Sequence, residues 1–320
     1  MKRKLTALLL ILIIAVTGLC ACGTEQNSEE KLQIVCTVFP YYDWVRSITK
    51  GVESTEVKLL LDSGTDLHSY QPTASDIVTI TSADLFIYTG GASDKWVSDV
   101  LKTSRNDNTV ILDLMHNLPE ERLFCVEAIG EEEHKHEEGE EHNHAEDEHI
   151  WLSVKNAMTL TKMIKDILCD IDSGNAAAYT ENFTEYENSL KALDKKYCSA
   201  VSDSKNKTVV FADRFPFVYL TEDYGLSYHT AFSGCSAESE ASFETVKRLA
   251  GEIDKNSLSY ILITETSDGS VAGTVKNTTK DKNQEILTLN AMQSVTKDKL
   301  SLSYIDVMTE NLSVLEKALS

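Results

Sequence analysis

The sequence predicts two α/β lobes with mainly parallel sheets, joined by one long rigid helix, with a ligand site in the cleft between the lobes. Three observations carry this prediction. Short apolar runs alternate with helix-like stretches from residue 32 onward, one continuous apolar seam runs through residues 176–203, and the alternation then resumes to the end of the chain. A repeated strand–helix rhythm is the signature of a parallel sheet covered by helices.

Residues 1–21 stand outside that rhythm. Lys2, Arg3 and Lys4 precede an apolar run over 5–16 that is short for a membrane span, so the segment reads as a cleaved signal. Leu19-Cys20-Ala21-Cys22 has the form of a bacterial lipobox, which predicts lipidation at Cys22 after cleavage, with residues 22–31 as a polar tether. No later run is long and apolar enough to span a bilayer. The expected location is therefore the outer face of the cell membrane, held by a lipid anchor. With Cys20 removed and Cys22 acylated, Cys36, Cys125, Cys169, Cys198 and Cys235 remain, scattered and without a CxxC pair. An odd count leaves at least one thiol free.

In the first lobe (32–175), residues 32–39 (LQIVCTVF) read as a buried strand and a helix follows through Tyr42, Val45 and Ile48 to Gly51. Residues 57–61 are strand-like, 75–81 helical, 84–88 (DLFIY) a strand, 95–101 a helix and 109–114 a strand. The rhythm then breaks at 131–148, which hold ten carboxylates, one lysine and His134, His136, His142 and His144. Such a segment buries no core. It also accounts for much of the net charge of −21, leaving a moderately acidic body. An acidic chain without a basic stripe argues against nucleic acid and suits a cationic ligand. His149 ends the run, and Ile150-Trp151-Leu152 turns it abruptly apolar, which predicts an anchored strand and a fixed imidazole.

In residues 176–203, Tyr179, Phe183, Tyr186, Leu190, Leu193 and Tyr197 recur at spacings of three and four, one face of a helix long enough to join two lobes. The second lobe (204–320) reads as strand 208–212, helix 215–224, strand 227–232, helix 242–254 capped by Ser242, strand 259–264, helix 271–278, strand 285–290 and helix 303–319. Ligands in such folds collect where strand C-termini face the cleft.

Three stretches fall at those positions: Asp66-Leu67-His68-Ser69-Tyr70-Gln71-Pro72-Thr73-Ala74-Ser75-Asp76-Ile77, then Asp147 to Ser153 with Asn156, and Val209 to Leu220 followed by Tyr224-Gly225-Leu226. In order and spacing they resemble the metal-binding lipoproteins of zinc and manganese ABC importers, over essentially the whole mature chain. The resemblance implies that His68 and His149 are metal ligands. Neutral imidazoles suit Zn²⁺, and each ring needs an acceptor such as Asp66 or Asp147 to fix its tautomer. Where the family has a third ligand this chain has Arg214, which offers no lone pair, and the fourth position, near Leu289, is taken as Asn290. Asp213 and Glu265 are the candidate replacements, Glu238, Glu240 and Cys235 lesser ones. Arg214 has the alternative of an ion pair with one of those glutamates, holding the lobes together.

The resemblance further implies an ABC permease and its ATPase as partners, a monomeric receptor, and an auxiliary capture role for the four loop histidines. Imidazole-rich tracts favour Zn²⁺ over Mn²⁺. A manganese-specific relative stays open, favoured by the oxygen donors Asp213 and Glu265. Two other classes stand as alternatives: a surface zinc hydrolase, against which the sequence has no HExxH and no Gly-x-Ser-x-Gly, and a passive metal buffer or adhesin.

Overall fold

The computed structural model describes residues 31–103, 108–125, 146–232, 234 and 241–320. Cys22 and the histidines at 134, 136, 142 and 144 lie outside the described residues, as do Cys235, Glu238 and Glu240. The first lobe runs β1 (Leu32–Cys36), α1 (Phe39–Ile48), β2 (Thr55–Leu59), α2 (Ala74–Thr81), β3 (Leu85–Tyr88), α3 (Lys95–Thr103) and β4 (Val110–Asp113). Its four strands are all parallel, in the order β2-β1-β3-β4. The chain therefore reverses direction across the sheet between β1 and β3, the place where such sheets open a crevice at their C-terminal edge.

Two helices follow. Helix α4 (Val154–Ile171) starts at Ser153, whose hydroxyl accepts from the Asn156 amide. Sequence reading overlooked this helix although its signals are present. Ser153 is a good cap, and Val154, Ala157, Leu160, Thr161, Ile164 and Leu168 form a buried stripe at helical spacing. Helix α5 (Ala176–Asp203) has 28 residues, about 42 Å at 1.5 Å each, and buries Tyr179, Phe183, Tyr186, Leu190, Leu193, Tyr197 and Val201.

The second lobe comprises β5 (Thr208–Phe211), α6 (Val218–Tyr224), β6 (Ser227–Thr230), α7 (Phe243–Asn256), β7 (Tyr260–Thr264), α8 (Ser270–Thr278), β8 (Glu285–Leu289) and α9 (Tyr304–Ala318). Its sheet repeats the first, parallel in the order β6-β5-β7-β8. Helix α6 begins three residues later than expected because Pro216 disfavours helical backbone at Phe215. Along β5 the residues alternate in destination. Val209 and Phe211 join the main core, whereas Val210 and Ala212 join a smaller cluster under α7 and α8.

The main core is continuous from Ile34 and Trp44, through Trp151, Leu190 and Tyr197, to Phe215, Tyr219 and Tyr304. Helix α5 bonds to both lobes: Asn182 donates to the carbonyls of Ile48 and Lys50, and the Tyr197 hydroxyl donates to Met308 O. Helix α9 docks back onto the first lobe. The Tyr304 amide donates to Asp43 Oδ2 at 2.8 Å, and its hydroxyl donates to Trp151 O at 2.7 Å. The lobes are thus tied by a common apolar core as well as by a linker, which restricts large opening. Cys36, Cys169 and Cys198 are free thiols.

One core predicts one unfolding transition. Urea denaturation followed by fluorescence and by circular dichroism should give coincident curves, and Tyr304→Ala should destabilise by about 3–5 kcal/mol, the usual cost of deleting a buried aromatic. Two separated transitions would contradict the common core.

Candidate metal centre

His68 stands in a single 3-10 turn, Leu67–Ser69, in the loop between β2 and α2. The turn is fixed from both sides. Leu67 is buried, and Asp66 Oδ1 accepts from the His68 amide at 2.9 Å. Asp66 is therefore a backbone cap, and the acceptor expected for the His68 ring is a different residue. His68 Nδ1 lies 3.0 Å from Glu148 Oε1 and 2.9 Å from Ser93 Oγ. Ser93 in turn donates its hydroxyl to Glu148 Oε1 at 2.6 Å and its amide to Oε2 at 2.9 Å. Room for this carboxylate comes from Gly91, where a Cβ would lie 2.4 Å from Glu148 Oε2.

His149 is 1% exposed. Its Nδ1 is 2.7 Å from Asp147 Oδ1, and the same oxygen accepts the His149 amide at 2.8 Å. The expected apolar strand after it is instead a 3-10 turn, Ile150–Leu152, leading straight into α4. The anchoring logic survives the change of conformation, because Ile150, Trp151 and Leu152 are fully buried and Trp151 Nε1 donates to Ala291 O at 2.8 Å. From the second lobe, the Tyr219 hydroxyl donates to Asp147 O at 2.6 Å, bracing the residue that orients His149.

The two rings meet with their Nε2 atoms 3.2 Å apart. Both Nδ1 atoms face carboxylates, so each ring carries its proton on Nδ1 and turns an Nε2 lone pair toward the other. Burial alone would raise the Glu148 carboxyl. The hydrogen bonds from His68 and from the Ser93 hydroxyl and amide, with the nearby His149, outweigh burial and hold it down to about 2.

The second-lobe candidates stand elsewhere. Asp213 Oδ2 accepts from the amide and hydroxyl of Thr264 at 2.9 and 2.6 Å, and its Oδ1 accepts from the Arg214 amide. Its carboxylate thus ties the end of β5 to the end of β7. Glu265 follows β7 and accepts from the Ala291 and Gln293 amides at 2.8 and 3.4 Å. Burial raises its carboxyl, those amides oppose the rise, and the Asp66 charge adds to it. Among the described residues, no group of three or more His, Cys, Asp and Glu side chains is placed to hold one metal ion.

Arg214 does bridge the lobes, but its partner is Asp66 at 3.6 Å. Asn290 does not face the imidazoles through any hydrogen bond found here: its Oδ1 accepts the Met292 amide, and its amide donates to Asn311 Oδ1. Three residues further on, Gln293 reaches the pair. Its Nε2 lies 2.8 Å from His149 Nε2, and the residue is 5% exposed. Motif matching missed it. The available signal was its place just beyond a strand C-terminus at the cleft. The loops bearing His68 and Gln293 are themselves joined, since the Gly64 amide donates to Val295 O at 3.0 Å and Ser294 Oγ donates to Gly64 O at 2.6 Å.

Comparison with known proteins places this geometry. Residues 34–318 match the family model described as zinc-uptake complex component A, periplasmic. The chain belongs to the ZnuA family. Among its ZnuA-family relatives, zinc-binding lipoprotein AdcA of Streptococcus pneumoniae is 30% identical over 97% of this chain, and the match covers 60% of AdcA. The high-affinity zinc uptake system protein ZnuA of Bacillus subtilis is 29% identical over 93% of this chain and 90% of its own length. The chain thus spans about three-fifths of the AdcA relatives it matches. The Zn(II)-bound ZnuA-like domain of AdcA superposes with a TM-score of 0.71 at 27% identity, covering 90% of this chain and 99% of that domain. The metal-dependent lipoprotein YcdH of Bacillus subtilis gives 0.73 at 27% identity, with 90% and 99% covered.

The Glu148 network has an acid signature. A carboxyl held at about 2 when folded, against an ordinary 4.5, contributes stability that is complete above 4.5 and lost as pH falls toward 2. Urea midpoints of the wild type and Glu148→Gln should therefore differ most at neutral pH, with the variant less stable, and converge near pH 2. A gap that stays constant with pH would contradict the assignment.

Proposed function

We propose that this ZnuA-family chain is the extracytoplasmic receptor of a metal ABC importer, which captures Zn²⁺ between His68 and His149 and hands it to a membrane permease driven by its ATPase. The observation that carries the proposal is the facing pair of Nε2 atoms at 3.2 Å. Two nitrogens bound at 2.0–2.1 Å to one tetrahedral zinc stand about 3.3 Å apart. The rings therefore already have the separation that the ion requires, and their tautomers turn the two Nε2 lone pairs toward each other. Cys22 would carry the lipid that holds the receptor to the membrane face, with the histidines of 131–148 as an auxiliary capture segment.

The oxygen-donor argument for manganese loses support from the hydrogen bonds described above. Asp213 is engaged by Thr264 and Arg214, and Glu265 by two backbone amides. A nitrogen-rich pair favours zinc. Against hydrolysis, the two carboxylates beside the imidazoles, Asp147 and Glu148, are hydrogen-bonded to ring nitrogens and act as ligand orienters. A receptor of this design carries cargo and performs no chemistry on it.

Isothermal titration of the full chain with Zn²⁺ tests the reading. His68→Ala and His149→Ala should each weaken tight binding by at least about 100-fold, more than the 10–100-fold expected from removing a supporting carboxylate with Asp147→Asn. Deleting residues 131–146 should leave the tight site intact. Loss of tight binding on that deletion, with both histidine variants unaffected, would move the site to the acidic loop.

Protons compete for the same lone pairs, so affinity should fall between pH 7.5 and pH 5.5. Equal affinities at the two values would contradict a two-imidazole site.

A further inference from the structure

We propose that α6 of the second lobe is a positioning element for the metal site, and that the cluster of Asp223, Arg122 and Ser153 holds His149 in place through its backbone. The inference rests on the zinc-receptor reading above and concerns what aims the imidazole, as distinct from what donates to the ion.

Tyr219 and Asp223 are four residues apart on α6, so they share one face of the helix. Each reaches one end of the segment that carries His149. The Tyr219 hydroxyl donates to Asp147 O at 2.6 Å, just before the histidine. Asp223 Oδ2 accepts from the Ser153 hydroxyl at 2.5 Å, just after the turn that follows it. Between those ends the chain is the 3-10 turn Ile150–Leu152, in which the Leu152 amide donates to His149 O at 3.0 Å. A turn this short, fixed at both ends, leaves the backbone of His149 no slack.

Ser153 is the more firmly held end. A hydroxyl offers one proton and two lone pairs, and here all three are engaged. The proton goes to Asp223, one lone pair accepts the Asn156 amide at 2.8 Å as the cap of α4, and the other accepts Arg122 Nη2 at 2.8 Å. The same Nη2 donates to Asp223 Oδ1 at 2.8 Å, and Arg122 Nε donates to Asn156 Oδ1 at 2.8 Å. The Lys155 ammonium adds a bond to Asp223 O at 2.7 Å. The Asp223 side chain is fully buried, so its charge depends on these donors.

A buried ion pair contributes little net stability over well-packed apolar groups. What this one supplies is position. Preorganised sites need their ligands held within about 0.5 Å, and the His149 ring has to meet a partner nitrogen 3.2 Å away. Asp147 sets the tautomer and tilt of the ring, while Asp223 and Arg122 set the turn from which the ring projects.

The experiment uses the full chain with residues 68, 147 and 149 intact, in wild-type, Asp223→Leu, Arg122→Met and doubly substituted forms. Ile253→Ala, in the separate apolar cluster under α7 and α8, is the control for stability alone. Urea midpoints are paired with Zn²⁺ titration and with visible absorption of the Co²⁺-loaded proteins, which reports ligand geometry. Each single variant should lower the midpoint, weaken Zn²⁺ binding by about 10–100-fold and alter the Co²⁺ spectrum. The double variant strands no charge, so it should regain part of the midpoint without regaining affinity or the wild-type spectrum. It carries the comparison where a single variant fails to fold. Ile253→Ala should lower the midpoint and leave binding and spectrum unchanged. Affinity and spectrum that stay wild-type in the singles, or that return with the midpoint in the double variant, would overturn the proposal and leave the two-histidine site standing. Tight binding retained by His68→Ala and His149→Ala would instead overturn the reading on which it rests.

Discussion

Two imidazole lone pairs pointed at each other across 3.2 Å repel unless something positive lies between them. Everything else in the cleft serves to impose that arrangement. Asp147 accepts a hydrogen bond from His149 Nδ1, and Glu148, its immediate neighbour in sequence, accepts one from His68 Nδ1. Consecutive carboxylates thus set both tautomers from one short segment, whose last residue is itself one of the two histidines. The rings cannot relieve the repulsion by turning, because His149 packs edge-on against Trp151 and His68 is tied to Ser93 and Glu148. The Gln293 side-chain nitrogen, 2.8 Å from His149 Nε2, relieves part of this conflict, and a cation between the rings resolves the rest.

The fold explains why this constraint is affordable. His68 comes from a loop after β2, Ser93 from the loop after β3, and Gln293 from the loop after β8, all at strand C-termini facing the cleft. His149 is held by the turn that begins α4. These loops are not free to drift apart. The apolar core runs through both lobes, α5 is bonded to each of them, and Tyr304 of the last helix reaches Asp43 and Trp151 in the first lobe. Arg214 and Asp66 add an ion pair across the lobes at 3.6 Å.

Much of this architecture is readable in the sequence because apolar periodicity is a local property. The parallel sheets and the long helix follow from it, whereas His68 and His149 are marked out by the family resemblance. Errors arose where conformation depends on partners distant in the chain. Ile150-Trp151-Leu152 has the composition of a buried strand, yet its neighbours are Ala291 and Tyr304, and it forms a 3-10 turn instead. Helix α4 has a local signature in its Ser153 cap and buried stripe, but it follows directly on the histidine-rich run, which masks it. Asp213 sits beside the expected ligand position, and only the three-dimensional structure reveals that Thr264 and Arg214 occupy its oxygens. Arg214 was rightly read as an interlobe cation, with the wrong anion as its partner. Gln293, whose side-chain nitrogen reaches His149 Nε2, was invisible to motif reasoning because a lone glutamine carries no motif signal. Its aim is set by Glu265 and a left-handed Met292, neither of which has a local sequence signature.

The most direct test of the central claim is X-ray absorption at the zinc edge on protein lacking residues 131–146 and loaded with one equivalent of Zn²⁺. The account predicts an inner shell of nitrogen and oxygen at about 2.0–2.1 Å, with the outer-shell scattering pattern of two imidazoles. A spectrum fitted by oxygen donors alone, or by a single imidazole, would contradict it.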